Sequence, residues 1–122
     1  MSKTLTPEEI EALRRNYKRC GEATVEAILR YRESHALEEV ALVGKGIIRR
    51  YLKADAAQLL DSATPDMPLA DLQVESLTLL EIVLDLQDAL EITIEDEELR
   101  EFKTVGDVLQ FLEAKVTAGF AS

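Results

Sequence analysis

The chain of 122 residues has no tryptophan, one cysteine, one histidine, three prolines and five glycines. Each scarcity excludes something. The lone Cys20 cannot form an intramolecular disulfide, and it reads as a small buried hydrophobe rather than a reactive thiol. His35 stands between two helical segments without a base or metal-ligand partner in view. No His, Cys and Asp set suggests nucleophilic catalysis, and the carboxylates are too evenly spread to nominate a catalytic pair or a resident metal site. Aromatic residues make up 5% of the chain against 47% apolar, so the interior is expected to be aliphatic. No apolar run approaches the roughly 20 residues of a membrane span. The stretch MSKTLTPEEI lacks the apolar segment of a secretory signal, so a cytoplasmic protein is the expectation.

Basic residues are also scarce, but only in the second half. Residues 1–60 carry 11 Lys and Arg against 9 Asp and Glu, whereas residues 61–122 carry 3 against 15. That acidic half would repel nucleic acid phosphates. It would attract partners with basic surfaces.

What the chain does have is Ala, Leu and Glu at helical spacing, within a length that suits one modest core. This predicts an all-α fold. Thr6-Pro7-Glu8-Glu9 reads as a capping box with proline at the first helical position, and Gly21 as a stop. A second helix is expected from about Glu22 to Ser34 and a third from about Ala36 to Lys53. Gly44-Lys45-Gly46 lies inside the third; it lacks the spacing of a phosphate loop and points instead to close packing or a kink. Residues Asp55 to Glu75 read as a long loop, anchored by Leu59, Leu60, Met67, Leu69 and Leu72 or functional in itself. A helix from Ser76 to Leu90, a helical turn over Asp96–Glu101 and a final helix from about Thr104 follow. A frayed tail is expected over 117–122.

Ser76 is the most informative residue. At a helix start, its hydroxyl lies beside unpaired backbone N–H groups and the positive end of the dipole, a setting that favours a phosphate ester. Glu75 precedes it and can help hold a divalent cation while a partner enzyme attaches the phosphate. No base is in view to make Ser76 a hydrolase nucleophile, so it reads as an attachment point.

The helix after Ser76 has two apolar faces. At 100° per residue, Leu79, Ile82, Val83, Leu86 and Leu90 form a stripe wide enough to face a core. Leu77, Leu80 and Leu84 gather nearly opposite, and Thr78, Glu81, Asp85 and Asp88 form a polar strip between them. The second face is expected to be a docking surface of leucines and carboxylates. Its alternative is burial beneath the N-terminal helices.

Together these residues resemble an acyl carrier protein. The family's D-L-G-x-D-S-L segment appears as Asp71-Leu72-Gln73-Val74-Glu75-Ser76-Leu77. Leu86-Gln87-Asp88-Ala89-Leu90, Glu91-Ile92-Thr93-Ile94, Glu95-Asp96-Glu97-Glu98 and Phe102-Lys103-Thr104-Val105-Gly106-Asp107-Val108 follow in the family's order. The resemblance covers about residues 37–116. It implies a four-helix carrier bundle, here with an additional N-terminal helical hairpin over residues 1–36. It also implies that Ser76 bears 4′-phosphopantetheine, transferred by a phosphopantetheinyl transferase, and holds acyl groups as thioesters. Leu79, Ile82, Val83 and Leu86 would line the acyl pocket. Acyl-loading, condensing and modifying enzymes with basic docking surfaces would read Leu77, Leu80, Glu81, Leu84, Asp85 and Asp88. Such a protein is a carrier and no enzyme, and it would serve a specialised fatty-acid or polyketide type pathway. Alternatives are a peptidyl or aminoacyl carrier, or a carrier-fold interaction protein without the prosthetic group.

Three positions depart from the family pattern. Glu75 replaces Asp, Gln73 replaces Gly, and Thr78 stands where an acid is common. Residues 1–36 have no counterpart in a minimal carrier. They are read as a hairpin packed on the carrier core, or else as a docking element for a dedicated partner.

Overall fold

Thr6 begins the first helix as its surroundings predict. Its hydroxyl accepts the Glu9 amide at 3.1 Å, and the Glu9 carboxylate accepts the Thr6 amide at 3.1 Å. The computed structural model describes residues 4–121, with side chains through Gly119. Among the described residues seven α-helices follow one another: α1 (Pro7–Asn16), α2 (Glu22–Ser34), α3 (Leu37–Arg50), α4 (Ala54–Asp61), α5 (Ser76–Leu90), α6 (Asp96–Leu99) and α7 (Val105–Ala121). Short 3-10 turns cover Lys18–Cys20 and Leu69–Leu72. Among the described residues there is no strand, only an isolated bridge between Pro68 and Thr104. The all-α expectation holds.

Helix α3 is the centre of the arrangement, touching α2 on one side and α5 and α7 on others. Its two glycines explain how. A Cβ at Gly44 would sit 3.0 Å from Leu109 Cδ2 and 3.1 Å from Leu112 Cδ1, where α7 crosses. A Cβ at Gly46 would sit 2.7 Å from the Thr24 Cβ, where α2 crosses. Close packing is thus the reason for Gly-Lys-Gly, and the helix stays continuous through it.

One apolar cluster, mostly aliphatic, runs from Leu5, Leu13 and Tyr17 through Ile28, Val43 and Ile47 to Leu86, Leu112 and Val116. The hairpin of α1 and α2 therefore shares the core of the remaining helices rather than forming its own. It also finishes α5. The Tyr31 hydroxyl donates to the Leu90 carbonyl at 2.7 Å, and the Arg32 guanidinium donates to the Ala89 and Asp88 carbonyls at 2.8 and 2.6 Å. These are carbonyls that a helix end leaves unpaired. His35 closes α2 in the left-handed region at φ 57°, its ring edge-on to Tyr31 at 5.4 Å.

Three expectations need correction. The Asp55–Glu75 segment is no continuous loop: α4 occupies Ala54–Asp61, and a 3-10 turn buries Leu69 and Leu72. Helix α3 ends at Arg50 rather than near Lys53. Helix α7 continues to Ala121, past the point where a frayed tail was expected, with Val116 buried in the core. No helix among the described residues is long and apolar enough to cross a membrane.

The packing at Gly46 sets a testable sign. Alanine normally favours a helix interior over glycine by about 1 kcal/mol. Here the added methyl meets an atom that no Thr24 rotamer moves, and overpacking costs about 1–3 kcal/mol. Gly46→Ala should therefore lower the midpoint of urea unfolding despite the gain in propensity.

Candidate functional site

The segment leading to Ser76 is tied to the start of α7. The Pro65 carbonyl accepts the Gly106 amide at 2.8 Å, the Met67 carbonyl accepts the Val105 amide at 2.9 Å, and the Leu69 amide donates to the Lys103 carbonyl at 2.9 Å. Gly106 permits the approach, since a Cβ there would stand 2.6 Å from the Pro65 carbonyl oxygen. A capping box holds the receiving end. Asp107 accepts the Thr104 and Lys103 amides at 3.0 and 3.1 Å, and its own amide donates to the Thr104 hydroxyl at 3.0 Å. Those amide bonds hold the Asp107 carboxyl below the usual carboxylate range.

After the 3-10 turn, Gln73 takes the left-handed conformation at φ 60°, ψ 36°. The position thus has the backbone that glycine favours, and the side chain pays for it in strain. Glu75 follows in extended geometry at the N-cap of α5 but makes no side-chain capping bond, and no acid occupies the first turn. Its carboxylate is exposed and makes no hydrogen bond or ion pair among the described residues. Ser76 is the first helical residue and is exposed. The first bond into the helix is the one from the Leu79 amide to the Glu75 carbonyl, 2.8 Å. Open amides and an exposed hydroxyl therefore coincide at Ser76.

The two faces of α5 separate as the periodicity predicts. Ile82, Val83 and Leu86 are buried and Leu79 is half-buried. They line a wholly apolar cleft with Ile48, Leu69, Val74, Phe102 and Val108. It holds only about 10 Å³, barely room for one water. On the other face Leu77, Leu80 and Leu84 are 75%, 44% and 63% exposed, so the N-terminal hairpin leaves this row uncovered. A more polar groove of about 270 Å³ opens beside Ser76, between Tyr51, Lys53, Gln73, Glu75 and Thr78.

The acidic flank is divided. Glu81 is exposed and has no hydrogen-bond or ion-pair partner among the described residues. Asp85 is half-buried, accepting the Tyr51 hydroxyl at 2.6 Å and Arg50 Nη1 at 3.1 Å. Asp88 is exposed but accepts the hydroxyl of the buried Tyr17. Burial and the Asp85 carboxylate push the Tyr51 hydroxyl up to about 12, and burial with Asp88 raises Tyr17 further still. Sequence reasoning missed Tyr17, Arg32, Arg50 and Tyr51. Their partners lie 34 to 71 residues away, and helical periodicity carries no such information. Among the described residues no group of three or more His, Cys, Asp and Glu is placed to hold a metal ion.

An exposed serine at an open helix start, with an apolar cleft behind it, is the form of a protein that bears a tethered group. Comparison with known proteins agrees: the family described as "Phosphopantetheine attachment site" matches residues 45–112, a span that encloses Ser76. The acyl carrier protein of Exiguobacterium sibiricum is 39% identical over 74 residues, covering 61% of this chain and 89% of that protein. That of Thermotoga maritima is 30% identical over 79 residues, covering 65% and 94%. That of Treponema pallidum strain Nichols is 33% identical over 82 residues, covering 66% and 100%. No solved structure matches. The chain belongs to the acyl carrier protein family, and so is a carrier with a covalent 4′-phosphopantetheine site rather than an enzyme. The residues present fit that group, because Ser76 offers a free hydroxyl and the first amides of α5 carry no side-chain cap.

Two outcomes test the geometry around Ser76. A non-glycine residue in the left-handed region costs about 1–2 kcal/mol, and glycine gives back about 0.5–1 in entropy. Gln73→Gly should therefore stabilise the protein modestly in urea, by up to about 1 kcal/mol, whereas Gln73→Val should destabilise it. The Asp107 cap adds a pH signature. A depressed carboxyl contributes stability above its unfolded value and loses it as pH falls through the lower folded value. The stability lead of the wild type over Asp107→Ala should thus be present at neutral pH. It should shrink as pH falls below 3.8 in urea titrations.

Proposed function

We propose that Ser76 carries the 4′-phosphopantetheine, and that the protein holds acyl intermediates in a specialised fatty-acid or polyketide type pathway in the cytoplasm. The observation that carries this reading is the exposed Ser76 hydroxyl at the uncapped start of α5. When bound, the group supplies a terminal thiol on a long flexible arm, the site of a thioester.

The chain's own residues take the remaining roles. The open amides of α5 stabilise the negative charge of an ester at Ser76. Glu75 helps hold the divalent cation used by a phosphopantetheinyl transferase, reaching one methylene further than an aspartate would. Leu79, Ile82, Val83 and Leu86 shelter an acyl chain. With about 10 Å³ of room, their side chains must part to admit it. Burial of roughly 0.8 kcal/mol per methylene favours that opening. Acyl-loading, condensing and modifying enzymes dock on Leu77, Leu80 and Leu84 with Glu81 beside them. Residues 37–116 act as the carrier unit and residues 1–36 as a hairpin that braces it.

Coexpression with a phosphopantetheinyl transferase, followed by intact-mass and peptide mass spectrometry, tests the assignment. Gain of one phosphopantetheine on Ser76, absent in Ser76→Ala, is the expected result. An unmodified Ser76 with several transferases would leave a carrier fold that serves as an interaction protein.

A further inference from the structure

The acidic flank of α5 is partly answered from within the molecule. Arg50 and the Tyr51 hydroxyl hold Asp85, and the buried Tyr17 holds one oxygen of Asp88. Arg32 lies against the same end of the helix, bonded to the Asp88 and Ala89 carbonyls and 3.7 Å from the Glu91 carboxylate. One cation, Arg50, is thus bonded to a carboxylate of the flank, and a second, Arg32, lies at its end. Tyr17 and Arg32 come from the N-terminal hairpin and Arg50 and Tyr51 from the end of α3. What remains outward is an apolar row flanked by Glu81, which has no hydrogen-bond or ion-pair partner among the described residues, and by the second oxygen of the exposed Asp88.

We infer that these contacts set partner selectivity. The face of α5 fits a protein partner presenting an apolar ridge with a single cation opposite Glu81, rather than one presenting a broad cationic patch. The physical reasons are two. A cation brought to Asp85 must compete with Arg50, already at 3.1 Å, and approaches a guanidinium of its own sign. A cation brought to Asp88 is offered the oxygen that Tyr17 leaves open, and it approaches the Arg32 guanidinium bonded to the Asp88 carbonyl at 2.6 Å. The three leucines have no such competitor. Tyr17, Arg50 and Tyr51 are therefore positioning residues that act through Asp85 and Asp88. This selectivity rests on the docking role proposed for α5 but needs no modification of Ser76.

The test uses the unmodified full chain and two synthetic amphipathic helical peptides of about 20 residues, the length over which helix-face anchors are read. Both present the same leucine face; one has a single arginine on its flank and the other has three. Binding is followed by fluorescence anisotropy, with the contact face located by amide and methyl NMR shifts. Wild type should bind the two within about twofold, whereas Tyr17→Phe with Arg50→Gln should prefer the three-arginine peptide about five- to tenfold at low salt, as two added exposed ion pairs allow. That preference should fade at high ionic strength. Tyr51→Phe, which keeps the ring in place, should move the ratio in the same direction. Glu81→Gln should weaken both peptides.

Equal ratios in wild type and variants, a wild type that already prefers three arginines, or shifts away from Leu77, Leu80 and Leu84 would each overturn the inference. Circular dichroism on each variant separates these results from unfolding. Mass spectrometry of Ser76 in the same preparations scores the attachment site independently, so either idea can fail while the other stands.

Discussion

The placement of Ser76 depends on a set of backbone bonds that serve two ends at once. The first amides of α7 need acceptors, as those of any helix do. The chain before α5 supplies them from the Pro65 and Met67 carbonyls. The connection is thereby fixed to the start of α7, its Leu69 and Leu72 are driven into the core, and α5 begins where that anchoring ends. Helices α1, α6 and α7 are closed by reciprocal capping boxes. Helix α5 is not. Helices α2, α3 and α4 also lack side-chain caps, but none begins with a hydroxyl. The coincidence of an open helix start and an exposed serine is what sets α5 apart.

The same helix carries three kinds of environment around its circumference. One face closes on aliphatic neighbours with little space to spare, and the opposite face leaves three leucines in water. Between them lies a carboxylate strip that the rest of the molecule has partly claimed. Exposed leucines in a row are unfavourable for a solitary protein and informative about an associating one. The extension at the N-terminus could have covered them and does not. It packs instead on α3 and the far end of α5, so support of the fold and access to the leucines are kept apart.

Much of this was legible before any coordinates. Thr6 with Glu9, the alternation of Leu79, Ile82, Val83 and Leu86 with Leu77, Leu80 and Leu84, and the serine at the helix start are all local patterns. Local patterns survive because helical geometry repeats every few residues. Helix α4 was hidden for the opposite reason. It has eight residues, follows Lys53 without a capping side chain, and buries only Ala56, Ala57 and Leu60. Its Ala-Asp-Ala-Ala-Gln-Leu-Leu-Asp composition, free of glycine and proline, was the available signal. The internal partners of Asp85 and Asp88 had no signal at all. A tyrosine or arginine that reaches a carboxylate dozens of residues away leaves no trace in periodicity, and Glu81, Asp85 and Asp88 all read alike as docking carboxylates.

The carbonyl-capping role of Tyr31 and Arg32 bears on how this protein can be cut and recombined. A chimera joined at the boundary between residues 36 and 37 would keep every position that resembles the family, yet it would strip the Asp88, Ala89 and Leu90 carbonyls at the end of α5 of the donors from Tyr31 and Arg32 and uncover α3 at Gly46. Such a graft would not behave as a minimal carrier relieved of an appendage. The extension and the bundle form one transplantable unit, and any modular exchange has to move both.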